Sequence, residues 1–275
     1  MKTPVLMVHG MSCTGEVWAQ FKTFFEAQGV KVYAPTLRPE ERVSIRERKP
    51  PRSLRELSLA DYVDDLEREI DKIEAETGET PAVIGHSMGG LLVQALAERN
   101  RVVAAVSISP AASAGVHTRF SRVFWAAYTF ARKRGWTPPV VRSGRRFLHR
   151  AVLNVLPLAE RAAAEGAMVW ESGKVFAEFA SWPIDVTKIH VPLLTVAATR
   201  DRLVPAALVR LTGKKFAAAG GEFREYKGHG HWLYSEPGWE TPAREILDWL
   251  REATARPSTR PPPRSATADR AGAQA

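Results

Sequence analysis

The pentapeptide Gly85-His86-Ser87-Met88-Gly89 sets a serine between an apolar run and a helical pattern. Residues 81–84 predict a buried strand, and residues 91–98 predict a helix. At such a sharp strand-to-helix turn a serine takes a positive φ, and the flanking glycines let the two backbones approach each other closely. The hydroxyl of Ser87 is then exposed at the positive end of the helix, where it can act as a nucleophile. The alternative is a serine that only caps the helix.

An acidic residue follows another apolar strand. Residues 192–198 predict that strand, and Asp201 stands in the polar turn before a helix that begins near Pro205. Ligands and catalytic groups gather at the carboxyl ends of strands in open α/β sheets, so Asp201 is the candidate acid. The alternative is that Asp201 caps the following helix or pairs with Arg200 or Arg202.

Two histidines stand close together after the last predicted strand. His229 and His231 flank Gly230 in a glycine-rich loop, and either imidazole could serve as the general base for a serine nucleophile. A metal site is the weaker interpretation of this pair, because no third or fourth ligand stands at metal-site spacing. We therefore expect no metal and no organic cofactor.

A fourth segment lies near the N-terminus, where an apolar strand runs into His9-Gly10-Met11-Ser12. From its position in the chain, this loop is expected to lie beside the serine turn. The backbone N–H groups of Met11 and Met88 would then bind the negative oxygen that forms when a carbonyl is attacked. The alternative is that His9-Gly10 is only a turn after a strand.

Along the chain the candidate serine comes first, then the acid, then the histidine. With this order, the segments resemble those of the serine α/β-hydrolases of the esterase/lipase-like superfamily. The resemblance runs from Pro4 to about Leu250. It depends on four loci, which are His9-Gly10-Met11, residues 85–90, Asp201 with Val204-Pro205, and His231-Trp232. It favours His231 over His229, because hydrolases of this type share a histidine that directly precedes an aromatic residue and a turn such as Glu236-Pro237-Gly238.

The predicted elements alternate between short apolar strands and helices. Strands are predicted at residues 4–9, 30–35, 81–85, 102–108, 192–198 and 222–227, and helices at about 15–28, 60–77, 87–99, 205–219 and 241–253. This alternation predicts an α/β fold with a doubly wound, mostly parallel six-stranded sheet. The resemblance implies the α/β-hydrolase fold, without the leading antiparallel hairpin of its larger members.

The remaining segments lie outside that alternation. Residues 38–57 are charged and contain prolines, so we expect a surface loop there. Residues 111–182 show a helical pattern without a predicted strand, and an insertion at this point of the α/β-hydrolase fold forms a cap over the catalytic serine. We expect one α/β-hydrolase domain over residues 1–253, and a disordered tail over residues 254–275, which lack any apolar period.

Composition limits the class of protein. The 275-residue chain is 45% hydrophobic, which is enough for a large core, and it has no apolar run long enough to span a membrane. The N-terminus leads straight into the first strand and leaves no room for a signal peptide. Cys13 is the single cysteine, so an internal disulfide is excluded. We therefore expect a cytoplasmic protein.

The cap carries an unusual charge. Between Ala112 and Ala159 there are nine Arg or Lys residues and no Asp or Glu, and aromatic residues are interleaved with them. One interpretation is a lid that meets anionic lipid surfaces or guides acidic substrates. The simpler interpretation, which we favour at this point, is a solvated cap face whose aromatic residues cover the pocket. Nucleic-acid binding is not expected, because no nucleic-acid-binding motif accompanies the charge.

Together these patterns predict a serine hydrolase that cleaves a small-molecule carboxylic ester through an acyl-enzyme. Short to medium acyl chains are expected, because the cap is modest in length. The resemblance leaves open a cofactor-free lyase, an acyltransferase or a perhydrolase on the same site, and an inactive binding scaffold. A serine nucleophile argues against epoxide hydrolase and haloalkane dehalogenase chemistry.

Overall fold

The computed structural model describes residues 1–47, 49–135 and 138–256, and for residue 120 the backbone alone. Within these residues the strands are β1 (Val5–Val8), β2 (Val32–Tyr33), β3 (Ala82–His86), β4 (Ala105–Ile108), β5 (Val140–Val141), β6 (Glu171–Ser172), β7 (Leu193–Ala198) and β8 (Glu222–Tyr226). The α-helices are α1 (Ala19–Ala27), α2 (Leu59–Thr77), α3 (Met88–Glu98), α4 (Arg119–Lys133), α5 (Arg145–Phe147), α6 (Leu158–Gly166), α7 (Gly173–Glu178), α8 (Ala206–Ala217) and α9 (Glu240–Ala255).

Six of these strands form one sheet in the order β2-β1-β3-β4-β7-β8, and every neighbouring pair in it is parallel. The predicted doubly wound, six-stranded fold is confirmed. Val8 at the end of β1 lies opposite Gly85 of β3, and Ala198 at the end of β7 lies opposite Tyr226 of β8. The loops that follow these strands therefore emerge at one edge of the sheet, which brings the predicted site segments together.

Different helices cover the two faces of the sheet, because successive side chains of a strand point to opposite faces. Val5 and Met7 of β1 join a buried cluster with Phe21 of α1 and residues of α9. Leu6, which lies between them, joins a second buried cluster with residues of α2 and α3. The sheet is thus buried on both sides, as a parallel sheet requires.

Helix α2 packs on the sheet through the apolar face that its sequence predicts. Its buried residues include Tyr62, Leu66 and Ile70, which recur every four residues and so share one side of the helix. Ser58 and Asp61 form a capping box at its N-terminus. The helix begins one turn before Tyr62, and this places the Tyr62 hydroxyl in the buried interior.

The segment at residues 38–57 is not the simple surface loop that its charge and prolines predict. Short 3₁₀ helices form at Pro39–Glu41 and Arg52–Arg55, and the side chains of Arg42 and Leu54 are buried. Most of the described segment does lie at the surface, as predicted, but its polar average hides the few side chains that turn inward. Arg42 can do so because it meets an acidic partner in the cap.

The insertion at residues 111–182 contains helices α4 to α7, and it also contains strands that the sequence did not predict. Strands β5 and β6 pair antiparallel, with Val140 opposite Ser172. The prediction of a cap without strands is wrong, because strands of two residues carry no measurable alternation of apolar and polar positions. In the part of the chain described here, no helix is both long and apolar enough to cross a membrane.

Helix α9 ends the described structure. It extends to Ala255 and therefore runs slightly into the segment predicted as a tail. Residues 257–275, which make up the rest of that predicted tail, lie outside the described residues. The domain boundary near residue 253 stays a prediction.

Candidate active site

Ser87 sits at the sharp turn between β3 and α3. Its φ of 55° and ψ of −115° lie outside the ordinary helix and strand regions, a conformation that costs free energy and is held by its surroundings. The N–H of Ser87 donates to the carbonyl of Ile108 at 2.9 Å, and its carbonyl accepts the N–H of Ala111 at 2.9 Å. The side chain caps no N–H group of α3, so the capping alternative does not describe this serine.

Two glycines let neighbouring backbones come close to this turn. A Cβ atom on Gly89 would lie 2.6 Å from the carbonyl oxygen of His9, so only glycine fits between α3 and the end of β1. A Cβ atom on Gly10 would lie 3.2 Å from the Cβ atom of Ser87. The loop that follows β1 therefore lies directly beside the serine, where the sequence analysis expected it.

The two predicted oxyanion donors stand on either side of this contact. Met11 lines the same cavity as Ser87. Met88 is the first residue of α3, and the first N–H groups of a helix have no partner within the helix. Met11 directly follows Gly10, and Met88 directly follows Ser87, so each residue adjoins the close contact between these two segments.

His9 fixes the loop after β1 from inside the protein. Its Nε2 accepts the N–H of Leu37 at 3.0 Å, so its Nδ1 carries the proton and donates to the carbonyl oxygen of Gly10 at 2.9 Å. Burial, assisted by the charge of Arg42, lowers the pKa of His9 to about 3. A neutral imidazole with a single tautomer therefore holds this loop.

The predicted acid meets His231 at the edge of the sheet. Nδ1 of His231 lies 2.7 Å from Oδ2 of Asp201, and both side chains are almost fully buried. The other carboxylate oxygen accepts the N–H groups of Leu203 at 2.9 Å and Val204 at 2.8 Å, in the turn before α8. Asp201 therefore both caps that turn and orients the imidazole of His231.

His229 occupies a different position in the same loop. Its Nδ1 lies 3.6 Å from Oε2 of Glu236, and its ring makes an edge contact with Tyr226. Its carbonyl accepts the N–H of Arg200 at 2.7 Å. The structure thus brings Asp201 to His231 and not to His229.

Two side chains that sequence reasoning missed hold the loop around His231. The buried carboxylate of Glu236 accepts the N–H groups of Gly230 at 2.6 Å and Trp232 at 3.1 Å, on either side of the histidine. Nε2 of His86 donates to the carbonyl oxygen of His231 at 2.8 Å, and the two imidazole rings lie 4.5 Å apart. Burial and the neighbouring His231 lower the pKa of His86 well below its ordinary value, so His86 is neutral. In the sequence His86 is only the variable position of the serine motif, and Glu236 only part of a turn.

A buried ionic cluster joins the loop after β1 to the cap. Oε2 of Glu171, in β6, lies 2.6 Å from Nη1 of Arg42, and Oε1 accepts the hydroxyl of Tyr62 at 2.7 Å. Oε2 also accepts the N–H of Ser12 at 3.4 Å, next to Met11. Burial alone would raise the pKa of Glu171, but the charge of Arg42 holds that pKa below its ordinary value. Sequence reasoning could not find this cluster, because its members are far apart in the chain and no motif joins them.

Ser87 and His231 line one cavity of about 590 Å³ between the sheet edge and the cap. Its walls are mostly apolar, as is usual for small-molecule sites of this size. Cys13 also lines it, but burial raises the pKa of that thiol to about 12, which keeps it protonated and unreactive. Among the described residues, no group of three or more His, Cys, Asp or Glu stands close enough to hold a metal ion.

Known proteins match the chain at the level of fold. Methylketone synthase I from tomato, solved with 2-tridecanone, has a TM-score of 0.71 at 18% identity over 92% of this chain and 99% of that chain. A monoacylglycerol lipase from Paleococcus ferrophilus has a TM-score of 0.65 at 22% identity over 91% and 96%. A pyrethroid hydrolase from Sphingobium faniae has a TM-score of 0.66 at 19% identity over 92% and 99%. At such low identities these likenesses show a shared fold alone.

The amino-acid sequence gives stronger evidence of the chain's family than these structural likenesses do. No curated protein sequence matches it at a significant level. The profile of the alpha/beta hydrolase family, however, matches residues 5–249, from the first strand to the last helix. That match includes the serine turn, the loop after β1, and the acid and histidine segments. The chain therefore belongs to the alpha/beta hydrolase family.

Proposed function

We propose that this protein is a serine hydrolase that cleaves a carboxylic ester through an acyl-enzyme formed on Ser87. The observation that carries the proposal is the convergence of three groups at one cavity. These are a serine with a φ of 55°, a histidine that lines the same cavity, and a buried carboxylate 2.7 Å from Nδ1 of that histidine. Membership of the alpha/beta hydrolase family supports hydrolysis as the reaction class.

The serine hydroxyl is a weak nucleophile at neutral pH and needs a base. In the proposed mechanism Nε2 of His231 takes the proton of Ser87 while Oγ attacks the ester carbonyl. Asp201 accepts the Nδ1–H, which keeps Nε2 available and stabilises the imidazolium that forms. The imidazolium then protonates the departing alcohol, and the acyl group stays on Ser87. Water activated by His231 releases the acid and restores the serine.

The proposed oxyanion donors are the backbone N–H groups of Met11 and Met88. Each such donor stabilises the developing negative charge by about 3 kcal/mol, because it is already oriented before the reaction begins. The close contact between Gly10 and Ser87 supports this assignment, since it keeps the two donor loops together. No metal or organic cofactor takes part in this mechanism.

The cavity supports a substrate whose buried part is an uncharged acyl group. Its lining includes the aromatic side chains of Phe124, Trp125 and Phe176. Its two arginines, Arg142 and Arg202, are both solvent-exposed. A volume of about 590 Å³ suits a small ligand, so we propose esters with short to medium acyl chains.

The similar structures bear the names of a synthase, a lipase and a pyrethroid hydrolase, so the fold alone does not select among reactions. A lyase, an acyltransferase or a perhydrolase would use the same serine, histidine and acid. Product analysis separates these reactions, because only hydrolysis releases the free acid with water as the sole second substrate. An inactive scaffold would show no turnover with any substrate.

The test is turnover of a series of p-nitrophenyl esters by the wild-type protein and by Ser87→Ala. We expect turnover with short and medium esters, and its loss in the variant. Trapping the acyl group on an active-site peptide, followed by mass spectrometry, would locate the covalent intermediate on Ser87. Ser53→Ala, which changes an exposed serine, is the matched control and should keep wild-type activity.

Equal ester turnover by Ser87→Ala and the wild type would refute the assigned nucleophile. A folded wild-type protein that turns over none of a broad panel of esters, thioesters and amides would refute hydrolysis itself. The same panel ranks substrates by kcat/KM and so identifies the acyl group that the cavity accepts.

A further inference from the structure

The cap exposes apolar side chains that the rest of the described surface buries. Among the described residues six large hydrophobic side chains are strongly exposed, and five of them lie in the cap. The five, which we name the cap patch, are Val123 (68%), Phe124 (46%), Phe130 (52%), Phe147 (51%) and Leu158 (78%). Water-exposed apolar groups concentrated in one part of a protein mark an interaction surface.

Positively charged residues are interleaved in the sequence with most of the cap patch. All nine Arg and Lys side chains between Ala112 and Ala159 are exposed, and no acidic residue stands among them. Arg122, Arg146 and Arg150 form no ion pair with any residue that the structure describes. Arg119 is the first residue of α4, where the helix dipole disfavours a cation. Arg119, Arg122, Arg146 and Arg150 therefore gain little from the fold itself and are available to an external anion. Arg145 instead pairs with Glu165, and Arg142 donates to the carbonyl oxygen of Ile45.

Two residues of the cap patch reach the proposed active-site cavity. Phe124 and Phe147 are about half exposed, and both also line the cavity that contains Ser87. Val123, Phe130 and Leu158 do not line it. The simpler interpretation, in which aromatic residues only cover the pocket, therefore accounts for part of the patch and not for the rest.

Helix α4 has the amphipathic pattern of helices that bind at lipid interfaces. Val123, Ala127 and Phe130 are spaced four and three residues apart, so they share one side of the helix. No residue of α4 whose burial is described is fully buried, so the base of the protein covers little of this helix. Apolar side chains with flanking Arg and Lys are the pattern of helices that lie in the headgroup region of a bilayer.

We propose that the cap patch docks on an anionic lipid surface, so that an ester substrate enters the cavity from the lipid phase. The exposed cap cations, Arg119, Arg122, Arg146 and Arg150 among them, complement acidic headgroups, and the apolar side chains enter the acyl boundary. A second copy of this chain fits poorly, because a symmetric contact would place the same cations against each other. The docking itself stands on the surface alone, whereas delivery of the ester rests on the proposed function.

The test is vesicle flotation of the full chain with Ser87→Ala, which removes turnover from the measurement. Two vesicle types are compared, phosphatidylcholine alone and phosphatidylcholine with phosphatidylglycerol in equal parts. We expect strong binding to the second type only, weakened by added salt. Arg119→Gln with Arg122→Gln and Arg146→Gln should lower the partition coefficient roughly 100-fold, since each cation near such a surface contributes about fivefold.

Two further variants separate the apolar from the ionic contribution. Val123→Ser with Phe130→Ser should lower binding roughly tenfold, because both side chains leave the acyl boundary. In an otherwise wild-type chain this variant should keep full turnover of a soluble p-nitrophenyl ester, and lower turnover of an ester presented in the anionic vesicles by about the same factor as binding. Phe223→Ser, on β8, is the matched control for an exposed apolar side chain.

Lys2→Gln with Lys214→Gln and Arg244→Gln removes three exposed cations outside the cap and should bind like the parent protein. Equal binding to neutral and anionic vesicles, absence of binding, or cap variants that bind like the parent would each overturn the docking. Because flotation uses Ser87→Ala, these outcomes do not depend on whether the protein hydrolyses esters.

Discussion

Polar groups are buried and partnered in the layer behind the cavity wall, which we name the floor and which includes Glu171 of the cap, whereas they are exposed on the outer face of the cap. On the floor, the carboxylates of Asp201, Glu236 and Glu171 are buried, and each accepts at least two hydrogen bonds. On the outer cap, cations such as Arg122 and Arg150 are exposed and have no ionic partner among the described residues. Buried polar groups must be satisfied within the protein, and this makes the floor rigid. Exposed cations keep their water and stay available to another molecule.

A change of one side chain should therefore have different consequences in the two regions. A group on the floor supports several neighbours at once, so its loss should spread to the geometry of Ser87 or to global stability. A group on the outer cap makes few contacts within the fold, so its loss should be visible mainly when a partner is present.

The strongest contrast lies within a single loop. His231→Ala should lower kcat/KM for a p-nitrophenyl ester by about 10⁴-fold, because the attacking hydroxyl loses its base. His229→Ala should change it by less than about tenfold, because this imidazole has no contact with Asp201. Steady-state kinetics of both variants, with far-UV circular dichroism as a check on folding, measure the difference. If His229→Ala were the more damaging change, the assignment of the base would be wrong.

Breaking the buried ionic cluster should cost stability. Glu171→Gln leaves the guanidinium of Arg42 buried without its counter-charge, and such a change costs about 3–5 kcal/mol of the free energy of unfolding. Urea unfolding measures it. The matched control is Glu165→Gln, whose partners are the exposed Arg145 and the half-buried His149, so about 1 kcal/mol or less should be lost. A comparable loss in both variants would erase the proposed contrast between floor and cap.

The same substitution should also affect catalysis in the surviving folded protein. Glu171 accepts the N–H of Ser12, beside the proposed oxyanion donor Met11. We expect kcat to fall more than KM rises, because a displaced donor weakens the transition state more than the bound ester. An unchanged kcat under conditions where Glu171→Gln is fully folded would assign Glu171 to stability alone.

Lowering the pH should reduce the free energy of unfolding through the buried His9. The pKa of His9 is lowered to about 3 in the folded protein, and in the unfolded chain it takes its ordinary value near 6.5. The unfolded chain therefore binds a proton that the folded protein excludes, so this stabilisation is complete above about pH 6.5 and declines as the pH falls toward 3. Roughly 2 kcal/mol should be lost between about pH 7 and about pH 5.

Urea unfolding at the two pH values, with and without His9→Gln, isolates this contribution. Glutamine can still accept the N–H of Leu37 but does not titrate, so the variant should show a smaller loss on acidification. The exposed His190→Gln is the control and should keep the wild-type pH dependence. An identical pH dependence in wild type and His9→Gln would show that His9 does not govern acid stability.

The smallest effect belongs to the outer cap. Val123→Ser with Phe130→Ser should change the free energy of unfolding by less than about 0.5 kcal/mol in the absence of lipid, because neither side chain is buried in the fold. Thermal unfolding in buffer measures this. A loss of several kcal/mol would mean that these side chains serve the fold, and the cap would then no longer differ from the floor.

Local sequence patterns were enough to predict much of the fold. Apolar runs with regular spacing predicted the six strands of the sheet and the helices on its faces, because burial on both sides leaves few other residue types possible. The apolar face of α2 was predicted for the same reason. Two-residue strands such as β5 and β6 were missed, since their pairing depends on what the chain brings beside them.

The sequence by itself determined which chemistry is available: a serine at a strained turn, an acid after a strand, and two histidines in one loop. These features are local, and local sterics and spacing decide them. Only the tertiary structure decided that His231 rather than His229 meets Asp201, that Glu236 and His86 hold its loop, and that Glu171 ties the cap to the loop after β1. Those contacts join residues distant in sequence, and the free energy that selects them comes from packing and desolvation in the assembled fold.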